Sequence, residues 1–476
     1  MRTKQLRLAA IPAIPLVAAL VLAGCATGSK EPYQSAAINV PATWAHGSVA
    51  KPSVDPTTGV VTAPRDIQAL TGRWWTAFGD PTLDQLVDAA IARNNDLAAA
   101  GFRVRAAQLQ AGIAQANLRP TLSGGLNTGV SRALDGGPSS RTNTLSLGAS
   151  YEVDLWNRLG SLRDIAQWEA QATEQDRESS AQALAGTTAT LYWQLRYLGQ
   201  RVAVAQSSTA YAERTLALVQ TQFTAGSVSP LEVAEARQTV SSQRAALALL
   251  EQQRVEAGNA LALLFDGTLP PVFGEIAQAL PTGALPAIPE GVPADVLARR
   301  PDLRAAELRL RGSLTTIAAT RASYYPALTL TGALGGSSTS LANVLQNPIA
   351  TLGAGLSMPF LQYRQMDLNI RISQAQYEEA VVSYRQTLYQ ALADVDNALS
   401  ARSRYAEQGE QLQAQLDDAR TAERLYETRY RLGAVALRIW LDAQESRRAA
   451  ETALALNRYN RLVNHATLLR VLGGEV

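Results

Sequence analysis

Residues 144–155 read TLSLGASYEVDL, in which small or polar side chains alternate with apolar ones at every position. A period of two residues is typical of a β-strand with one apolar and one polar face. The stretch is also long enough to cross a lipid bilayer at the tilt of a barrel strand. It therefore predicts a membrane-spanning strand, and the alternative is a strand of a soluble hairpin.

Three more stretches share this alternation. Their apolar positions are Leu122, Leu126 and Val130 in the first, Leu328, Leu330 and Leu334 in the second, and Leu352, Ala354, Leu356, Met358 and Phe360 in the third. The connectors 133–140 and 335–347 are rich in Gly and Ser, and they predict exposed loops. Because four strands cannot close a barrel around a channel, we expect an oligomer, and three copies would supply twelve strands.

Aromatic residues gather where these strands meet the following or preceding helices. They are Trp156, Tyr324, Tyr325, Phe360 and Tyr363. Aromatic side chains at one level of a barrel are typical of an interfacial girdle in a membrane. The alternative is that they fill the core of soluble hairpins.

The chain contains two copies of one structural unit. LRPTL at 118–122 corresponds to YPAL at 325–328, LGA at 147–149 to LGA at 352–354, and QFTAG at 222–226 to RYRLG at 429–433. The three offsets are nearly equal, at 206, 205 and 207 residues, and the order is kept. The succession of helix, strand pair, long helix, tight turn and long helix is therefore predicted to occur twice.

Very long helices are predicted after each strand pair. Between Gln362 and Leu432 the only Gly or Pro is Gly409, so roughly 70 residues can form one helix of about 100 Å. The first-copy counterpart, 161–225, contains only two glycines. Core-facing positions in the second helix recur at a spacing close to that of a straight helix; they are Tyr377, Val381, Tyr384, Leu388, Ala391, Val395 and Leu399. Such a length suits a span of the periplasm better than a globular core.

Each long helix is predicted to reverse at a glycine. Gly ends a helix readily, and Ser229-Pro230 restarts the next one with a favourable N-cap and first residue. The returning helices are predicted to end near residues 265 and 471. The candidate tip residues are Gly226, Ser227, Val228, Gly433, Ala434 and Val435.

The N-terminus predicts an exported lipoprotein. The basic start MRTKQLR is followed by an apolar run, and LAGC at 22–25 closes it, so residues 1–24 are predicted to be a signal peptide. Cys25 is the only Cys of the chain and is the predicted lipid-attachment site. Ala26 favours the outer membrane, by resemblance to sorted lipoproteins. Residues 25–65 are rich in Pro, Ser and Thr and predict an extended linker.

Composition argues against several functions. Removal of the signal leaves 40 basic and 41 acidic residues without a basic run, so we expect no nucleic-acid partner. The two histidines, His46 and His465, form no metal-binding motif, and no phosphate-binding loop is present. No later segment is apolar enough for a transmembrane helix. We therefore expect neither an enzyme nor a bound cofactor, apart from the covalent lipid on Cys25.

Three motifs carry a family resemblance. WWTAFGDPTL at 74–83, NNDL at 94–97 and VPADVLARRPDLRAAE at 292–307 resemble signatures of the outer membrane factor family, which is TolC-like, in its NodT-type branch of efflux outer-membrane lipoproteins. After the third motif the family usually has Ile-Gly-Xaa-Ala and Phe-Pro, whereas this chain has IAAT at 317–320 and YP at 325–326. The resemblance covers essentially the whole mature chain.

The resemblance implies an α+β membrane protein. Its fold would be a trimeric twelve-strand outer-membrane β-barrel continued by a long periplasmic α-helical barrel, with two tandem repeats per chain. The repeats would occupy 66–270, with its strand pair at 120–156, and 294–476, with its strand pair at 326–361. An equatorial linker at 271–293 would join them.

The implied function is that of a passive exit duct in a tripartite efflux system for drugs or other small toxic compounds. Its partners would be a periplasmic adaptor at the tips and an inner-membrane pump, most often of the resistance-nodulation-division class. An exit duct for a type I protein secretion system is the alternative.

One acidic position is a candidate gate. By resemblance, Asp442 belongs to a charged constriction at the periplasmic end of the tunnel, and three copies would form a ring. Glu235 holds the corresponding position in the first copy. Arg438 lies one turn before Asp442 and could instead neutralise it in an ordinary helix ion pair. Both interpretations remain open at the level of sequence.

Overall fold

The computed structural model describes residues 53–54, 61–62, 73–275, 279–286, 288 and 298–474. The predicted signal peptide, Cys25 and most of the predicted linker lie outside these residues. Inside the linker, β1 (Ser53–Val54) pairs antiparallel with β2 (Val61–Thr62).

Four longer strands form one antiparallel sheet. They are β3 (Thr121–Arg132), β4 (Ser139–Val153), β5 (Ala327–Ser338) and β6 (Pro348–Ser357), and they lie side by side in chain order. In the described part of the chain, the outer edges of β3 and β6 have no further strand beside them. The sheet is therefore open at both sides.

Within the described residues, seven α-helices make up most of the structure. They are α1 (Pro81–Arg93), α2 (Asn95–Ala116), α3 (Arg158–Thr224), α4 (Pro230–Leu263), α5 (Pro301–Ala322), α6 (Tyr363–Arg431) and α7 (Leu437–Val471). With 67 and 69 residues, α3 and α6 are each about 100 Å long. The predicted core-facing positions of α6, from Tyr377 to Leu399, are all buried or half-buried.

The helices continue the order of the strands. Next to the sheet they pack in the order α2, α3, α5, α6, which matches β3, β4, β5, β6. Farther from the sheet, α3 pairs with α4 and α6 pairs with α7, and α7 also packs against α3. The result is a single layer of helices near the sheet and two joined helical hairpins at the far end.

The main apolar core lies midway along the helices. It joins α3 and α7 to a 3-10 turn (Trp74–Phe78), to α1 and to the residues that follow α4. Its largest fully buried side chains include Trp75, Trp193, Phe265 and Leu468. The segments near Trp74, after Phe265 and at the C-terminus thus pack together against the helices, and we call them the equatorial belt.

The predicted strands extend too far at two ends. Leu155, Met358 and Phe360 were expected to lie in strands, but β4 ends at Val153, β6 ends at Ser357 and Pro359–Leu361 forms a 3-10 turn. Pro359 fixes its own backbone angle and has no N–H for a strand ladder, so it begins a turn. The two loops are also shorter than expected, because β4 starts at Ser139 and β5 runs to Ser338.

Candidate channel wall and docking tips

The four strands present one continuous apolar surface. Their register places Leu122 beside Ala149, Leu147 beside Leu334, and Leu330 beside Ala354. We call this surface the apolar face. Its apolar side chains with large exposure are Leu122, Leu126, Val130, Leu147, Leu330, Leu334, Leu352 and Leu356. Exposed leucines over a whole sheet face are costly in water and favourable against lipid.

On the opposite surface, which we call the polar face, most side chains are small or carry a hydroxyl group. The register aligns Ser123 with Gly148, and Ser150 with Thr331. The one charged residue of the strands on this face is Glu152, which forms a two-oxygen ion pair with Arg158 at 2.8 Å. A sheet with an exposed apolar face and a nearly uncharged polar face is suited to separate lipid from an aqueous channel.

The turn from β4 into α3 is fixed by local hydrogen bonds. Asn157 has a left-handed backbone with φ of 56°, and Asp154 accepts from the backbone N–H groups of Leu159 and Gly160. The indole of Trp156 donates to the carbonyl oxygen of Pro326 at 2.7 Å. These bonds tie the end of the first strand pair to the start of the second.

The predicted aromatic residues lie at this level, with one difference in exposure. Trp156 packs edge-on against Tyr325, with 5.1 Å between ring centroids. Phe360 and Tyr363 are exposed, as a girdle requires. Tyr324 is buried and accepts a hydrogen bond from Asn369 on α6. Its role is therefore to join α6 to the second strand pair.

Both predicted tips are the same helix-ending turn. Gly226 has φ of 76° and Gly433 has φ of 73°. In the first turn Ser227 N–H bonds to the Gln222 carbonyl at 2.8 Å; in the second, the N–H of Ala434 bonds to the Arg429 carbonyl at 2.9 Å. This pattern satisfies carbonyl groups at a helix end and needs a left-handed residue. The 207-residue repeat is thus kept at the level of single hydrogen bonds.

The two tips differ where the next helix begins. Ser229 and Glu232 form a reciprocal capping box at the start of α4. The hydrogen bond from Ser229 lowers the pKa of Glu232. Ala436 precedes α7 and offers no side-chain cap. The first tip is therefore closed by its own side chains, whereas the second leaves the first N–H groups of α7 without such a partner.

A small apolar cluster holds the two tips together. Trp440 stacks on Tyr430 with 5.1 Å between ring centroids, and the Tyr430 hydroxyl donates to the side chain of Gln222 at 2.7 Å. Val228 and Val435, one from each tip, pack against this cluster while the glycines remain exposed. The two hairpins therefore present one composite surface.

The gate candidates lie just behind the second tip. Arg438 Nε approaches Asp442 Oδ2 at 3.9 Å, and the two side chains are 74% and 72% exposed. Such an exposed pair contributes little to stability. Glu235 is half-buried on α4. Within one chain these side chains neither meet one another across the hairpins nor become enclosed, so either interpretation of Asp442 depends on neighbouring copies.

A charged cluster that the sequence did not reveal joins the hairpins farther from the tips. Arg447 on α7 pairs with Glu423 on α6 and with Glu451 at 2.9 Å. On the adjacent α3, burial raises the pKa of Tyr211 to about 12, and Glu427 and Glu423 add to the shift. Glu423 and Arg447 are far apart in sequence, so only the hairpin packing shows that they meet.

Two kinds of feature are absent from the described residues. Among them, no helix is long and apolar enough to span a membrane. Within the same part of the chain, no group of three or more His, Cys, Asp or Glu side chains could hold a metal ion.

Comparison with known proteins gives consistent matches. The model of the family described as outer membrane efflux protein matches residues 86–266 and 292–474, one stretch per repeat. The pyoverdine export outer membrane protein OpmQ of Pseudomonas putida is 36% identical over 422 residues, which cover 84% of this chain and 88% of that protein. The probable outer membrane lipoprotein SilC of Salmonella typhimurium is 28% identical and covers 95% of this chain and 96% of its own length.

The fold also matches a solved structure. Crystal structures of CusC, described in terms of folding and transmembrane channel formation, superpose with a TM-score of 0.81 at 25% identity. The superposition covers 94% of this chain and 99% of that one. The open four-stranded sheet and its helical continuation are thus one chain's share of a trimeric, TolC-like barrel.

Proposed function

The chain belongs to the outer membrane efflux protein family and is an outer-membrane exit duct, and from this premise we propose how it assembles, where it is anchored and what it passes. The observation that carries the proposal is the two-faced sheet. Its apolar face is exposed along all four strands, while its polar face carries mostly small or hydroxylated side chains, with Ile349 as an exposed apolar exception and with Glu152 paired with Arg158. A wall of this kind holds lipid on one side and passes solutes without selecting them by charge.

Three copies close the channel. The open edges of β3 and β6 leave backbone groups that must be paired inside a membrane, and a neighbouring copy supplies the partner strand. The helices beneath these edges, α2 and α6, also expose apolar side chains. They are Phe102, Leu109 and Ile113 on α2, and Leu368 and Ile372 on α6. Contact between α2 of one copy and α6 of the next would bury both sets.

Cys25 attaches the protein to lipid. The sequence before it resembles a lipoprotein signal, and the similar SilC carries the name probable outer membrane lipoprotein. Labelled palmitate should therefore appear in the mature chain and be lost in Cys25→Ser. Label that persists in Cys25→Ser would contradict the assignment.

The tips receive a periplasmic adaptor that links the duct to an inner-membrane pump, most often of the resistance-nodulation-division class. The cargo is a set of drugs or other small toxic compounds, and the similar OpmQ is named for the export of pyoverdine. The pump supplies the energy. A passive duct needs neither a catalytic site nor a cofactor, so the protein is not an enzyme.

Adjacent residues of β6 provide a matched test of the duct. Leu352 is 91% exposed on the apolar face, and Thr351 lies on the polar face. Leu352→Lys should reduce insertion and trimer yield, because a lysine at mid-membrane costs about 2–4 kcal/mol. Thr351→Lys should insert normally and shift single-channel selectivity towards anions. Equal behaviour of the two variants would contradict the assignment of the faces.

A deletion strain tests the cargo. Loss of the gene should raise intracellular accumulation of small toxic compounds, and the wild-type gene should restore efflux. Efflux restored by the Cys25→Ser gene in the same strain shows how far export depends on the lipid anchor. Unchanged accumulation together with loss of secreted proteins would support the type I secretion alternative.

The mass of the detergent-extracted protein should be that of a trimer, and a stable monomer or dimer would contradict the barrel.

A further inference from the structure

The connector between β5 and β6, residues 339–347, folds back over the apolar face, and we call it the rim loop. Gly336 belongs to the apolar face because its register partner is Leu145. A Cβ atom on Gly336 would lie 2.1 Å from the carbonyl oxygen of Val344. Val344 is therefore on the outward side of the sheet, and it is only 7% exposed. The rim loop leans away from the channel.

A buried polar residue supports the same direction. Asn143 lies on the apolar face, yet it is only 2% exposed. Its amide donates to the carbonyl oxygen of Ser338, and its oxygen accepts from Thr128 at 2.7 Å. An outward-facing side chain can be this buried only when something covers it, and the adjacent rim loop is placed to do so.

The rim loop lies at the outer boundary of the apolar band. Ten residues separate Pro326, which accepts the hydrogen bond of Trp156, from Gly336. At about 3.3 Å per residue and a tilt of roughly 40°, this corresponds to a height of about 25 Å. The apolar band of an outer-membrane barrel is about as tall. With the girdle at the periplasmic boundary, the rim loop is at the level of the outer-leaflet headgroups.

The rim loop exposes apolar side chains at this level. Leu341 is 57% exposed and Leu345 is 70% exposed. Neither is packed into the sheet, although the loop that carries them lies on the outward face. Leucines in this position extend the lipid-contacting surface beyond the strands.

Charge is distributed unevenly around the same rim. In 121–151 the only charged residues are Arg132, Asp135 and Arg141, and 327–357 contains none. Arg132 and Arg141 fall on the apolar face, at its outer end and one diagonal step apart, because Val130 pairs with Arg141. Among the described residues neither arginine has a hydrogen-bond or ion-pair partner, and Asp135 accepts from the backbone of Gly137 in the turn.

We propose that the outward rim formed by Arg132, Arg141, Leu341 and Leu345 binds a phosphorylated lipid of the outer leaflet. The two leucines contact acyl chains, and the two guanidinium groups contact the phosphate, with which arginine forms strong charge-assisted hydrogen bonds. The proposal goes beyond export, because it concerns the lipid around the duct and not the solute inside it. It rests only on the outer-membrane placement of the barrel.

The first measurement locates the rim loop. A bimane fluorophore on Leu345→Cys should be quenched when the full-length protein is reconstituted in brominated phosphatidylcholine. Thr142→Cys is the matched control, because Thr142 lies on the polar face near the same outer end of the sheet, and its label should not be quenched. An unquenched label on Leu345→Cys would overturn the proposal, and a blue-shifted unquenched label would assign the loop to the contact with a neighbouring copy.

The second measurement tests recognition of the phosphate. Vesicles of phosphatidylcholine would contain the same small fraction of either brominated phosphatidic acid or brominated phosphatidylcholine. Quenching at Leu345→Cys should indicate about fivefold enrichment of phosphatidic acid, the effect of one net basic charge near an anionic lipid. Adding Arg132→Gln and Arg141→Gln should remove the preference without removing quenching. Equal quenching by both lipids before these substitutions would overturn the site, while single-channel conductance of the same sample reports separately on the duct.

Discussion

Asp80 connects two helices and the equatorial belt through one carboxylate. One of its oxygens accepts from the N–H groups of Thr82 and Leu83 and so caps α1. The other accepts from the Tyr192 hydroxyl at 2.6 Å and from Arg196 at 2.8 Å, both on α3. Arg196 in turn donates to the carbonyl oxygen of Ala279. The motif WWTAFGDPTL at 74–83 thus has a structural role, because its Asp80 holds α1 and the segment after α4 against α3.

His465 is an unfavourably placed polar residue in the same core. It is almost completely buried, its ring packs edge-to-face with that of Phe78, and neither ring nitrogen has a hydrogen-bond partner in the described part of the chain. Burial lowers the pKa of His465 to about 4, and the charge of Arg402 adds to the shift. The folded protein therefore keeps this ring neutral at pH values where an unfolded chain would protonate it.

We predict that His465 makes the protein sensitive to mild acid. Well above pH 6.5 the ring is neutral in both states and has no effect; as pH falls through 6.5 towards 4, mainly the unfolded chain takes up the proton, and stability decreases. The loss between pH 7 and pH 5 should be about 2 kcal/mol. His465→Leu should flatten the decrease of the denaturation midpoint over this range. A parallel decrease in both proteins would show that other groups cause the acid sensitivity.

At the scale of elements, glycines mark both turns and close helix contacts. Gly409 lies inside α6, where its missing side chain admits Asn457 of α7. Asn457 is buried and donates to the carbonyl oxygen of Tyr405 at 2.9 Å and to the side chain of Gln408 at 2.8 Å. A glycine in the middle of a long helix weakens it, and here the cost is offset by this interhelical network.

Gly409→Ala should therefore destabilise the hairpin of α6 and α7. An alanine Cβ would lie 2.8 Å from the Asn457 side-chain oxygen, which its hydrogen bonds hold in place. Gly112→Ala is the control, because a Cβ there meets nothing within 4 Å, and it should stabilise by up to about 1 kcal/mol. Denaturation midpoints should move in opposite directions. Combining Gly409→Ala with Asn457→Ala should give less than the sum of the two losses, and strict additivity would refute the proposed contact.

The tips provide the second prediction at this scale. Val at position 226 or 433 would be strained by about 1–3 kcal/mol, because the left-handed backbone disfavours a β-branched side chain. Gly226→Val and Gly433→Val should leave the trimer intact, weaken adaptor binding and raise drug sensitivity. Asn tolerates this backbone, so Gly226→Asn and Gly433→Asn should retain binding. Unchanged resistance with both valines present would show that the tips are not the docking surface.

The elements that the sequence predicted well are those with local signals. The alternation in the strands, the uninterrupted helical stretches and the turns at Gly226 and Gly433 are each encoded by residues close together in sequence. The predicted positions of these elements are close to those observed. The contacts of Asp80 with Tyr192 and of Gly409 with Asn457 join residues far apart in the chain, and no local pattern encodes them. The start of α7 shows a further limit of prediction from sequence. Ala436 provides no side-chain cap there, and the packing of Leu437 and Trp440 sets the start of the helix instead.

At the scale of the whole molecule, one chain supplies only part of each functional surface. The channel wall has two open edges, and Arg438 and Asp442 are exposed in a single chain. A threefold arrangement changes their environment more than anything within the chain does. Asp442 would therefore influence ion passage if it lies on the axis of a trimer and would not if it lies on an outer wall. Measuring conductance distinguishes the two positions.

If three copies of Asp442 surround the channel mouth, their carboxylates repel, and cations, Arg438 or helix packing must hold them close. Asp442→Ala should then change single-channel conductance and reduce cation selectivity of the isolated trimer in a planar bilayer. If Arg438 keeps the mouth shut, Arg438→Ala should raise conductance, and the double variant should not show the sum of both effects. Asp367→Ala is the control, because Asp367 forms a comparable exposed pair with Arg371 far from the tips. If all the variants conduct and select like the parent, Asp442 is an ordinary helix ion-pair partner, worth at most a few tenths of a kcal/mol, and the duct depends on the barrel and the helices alone.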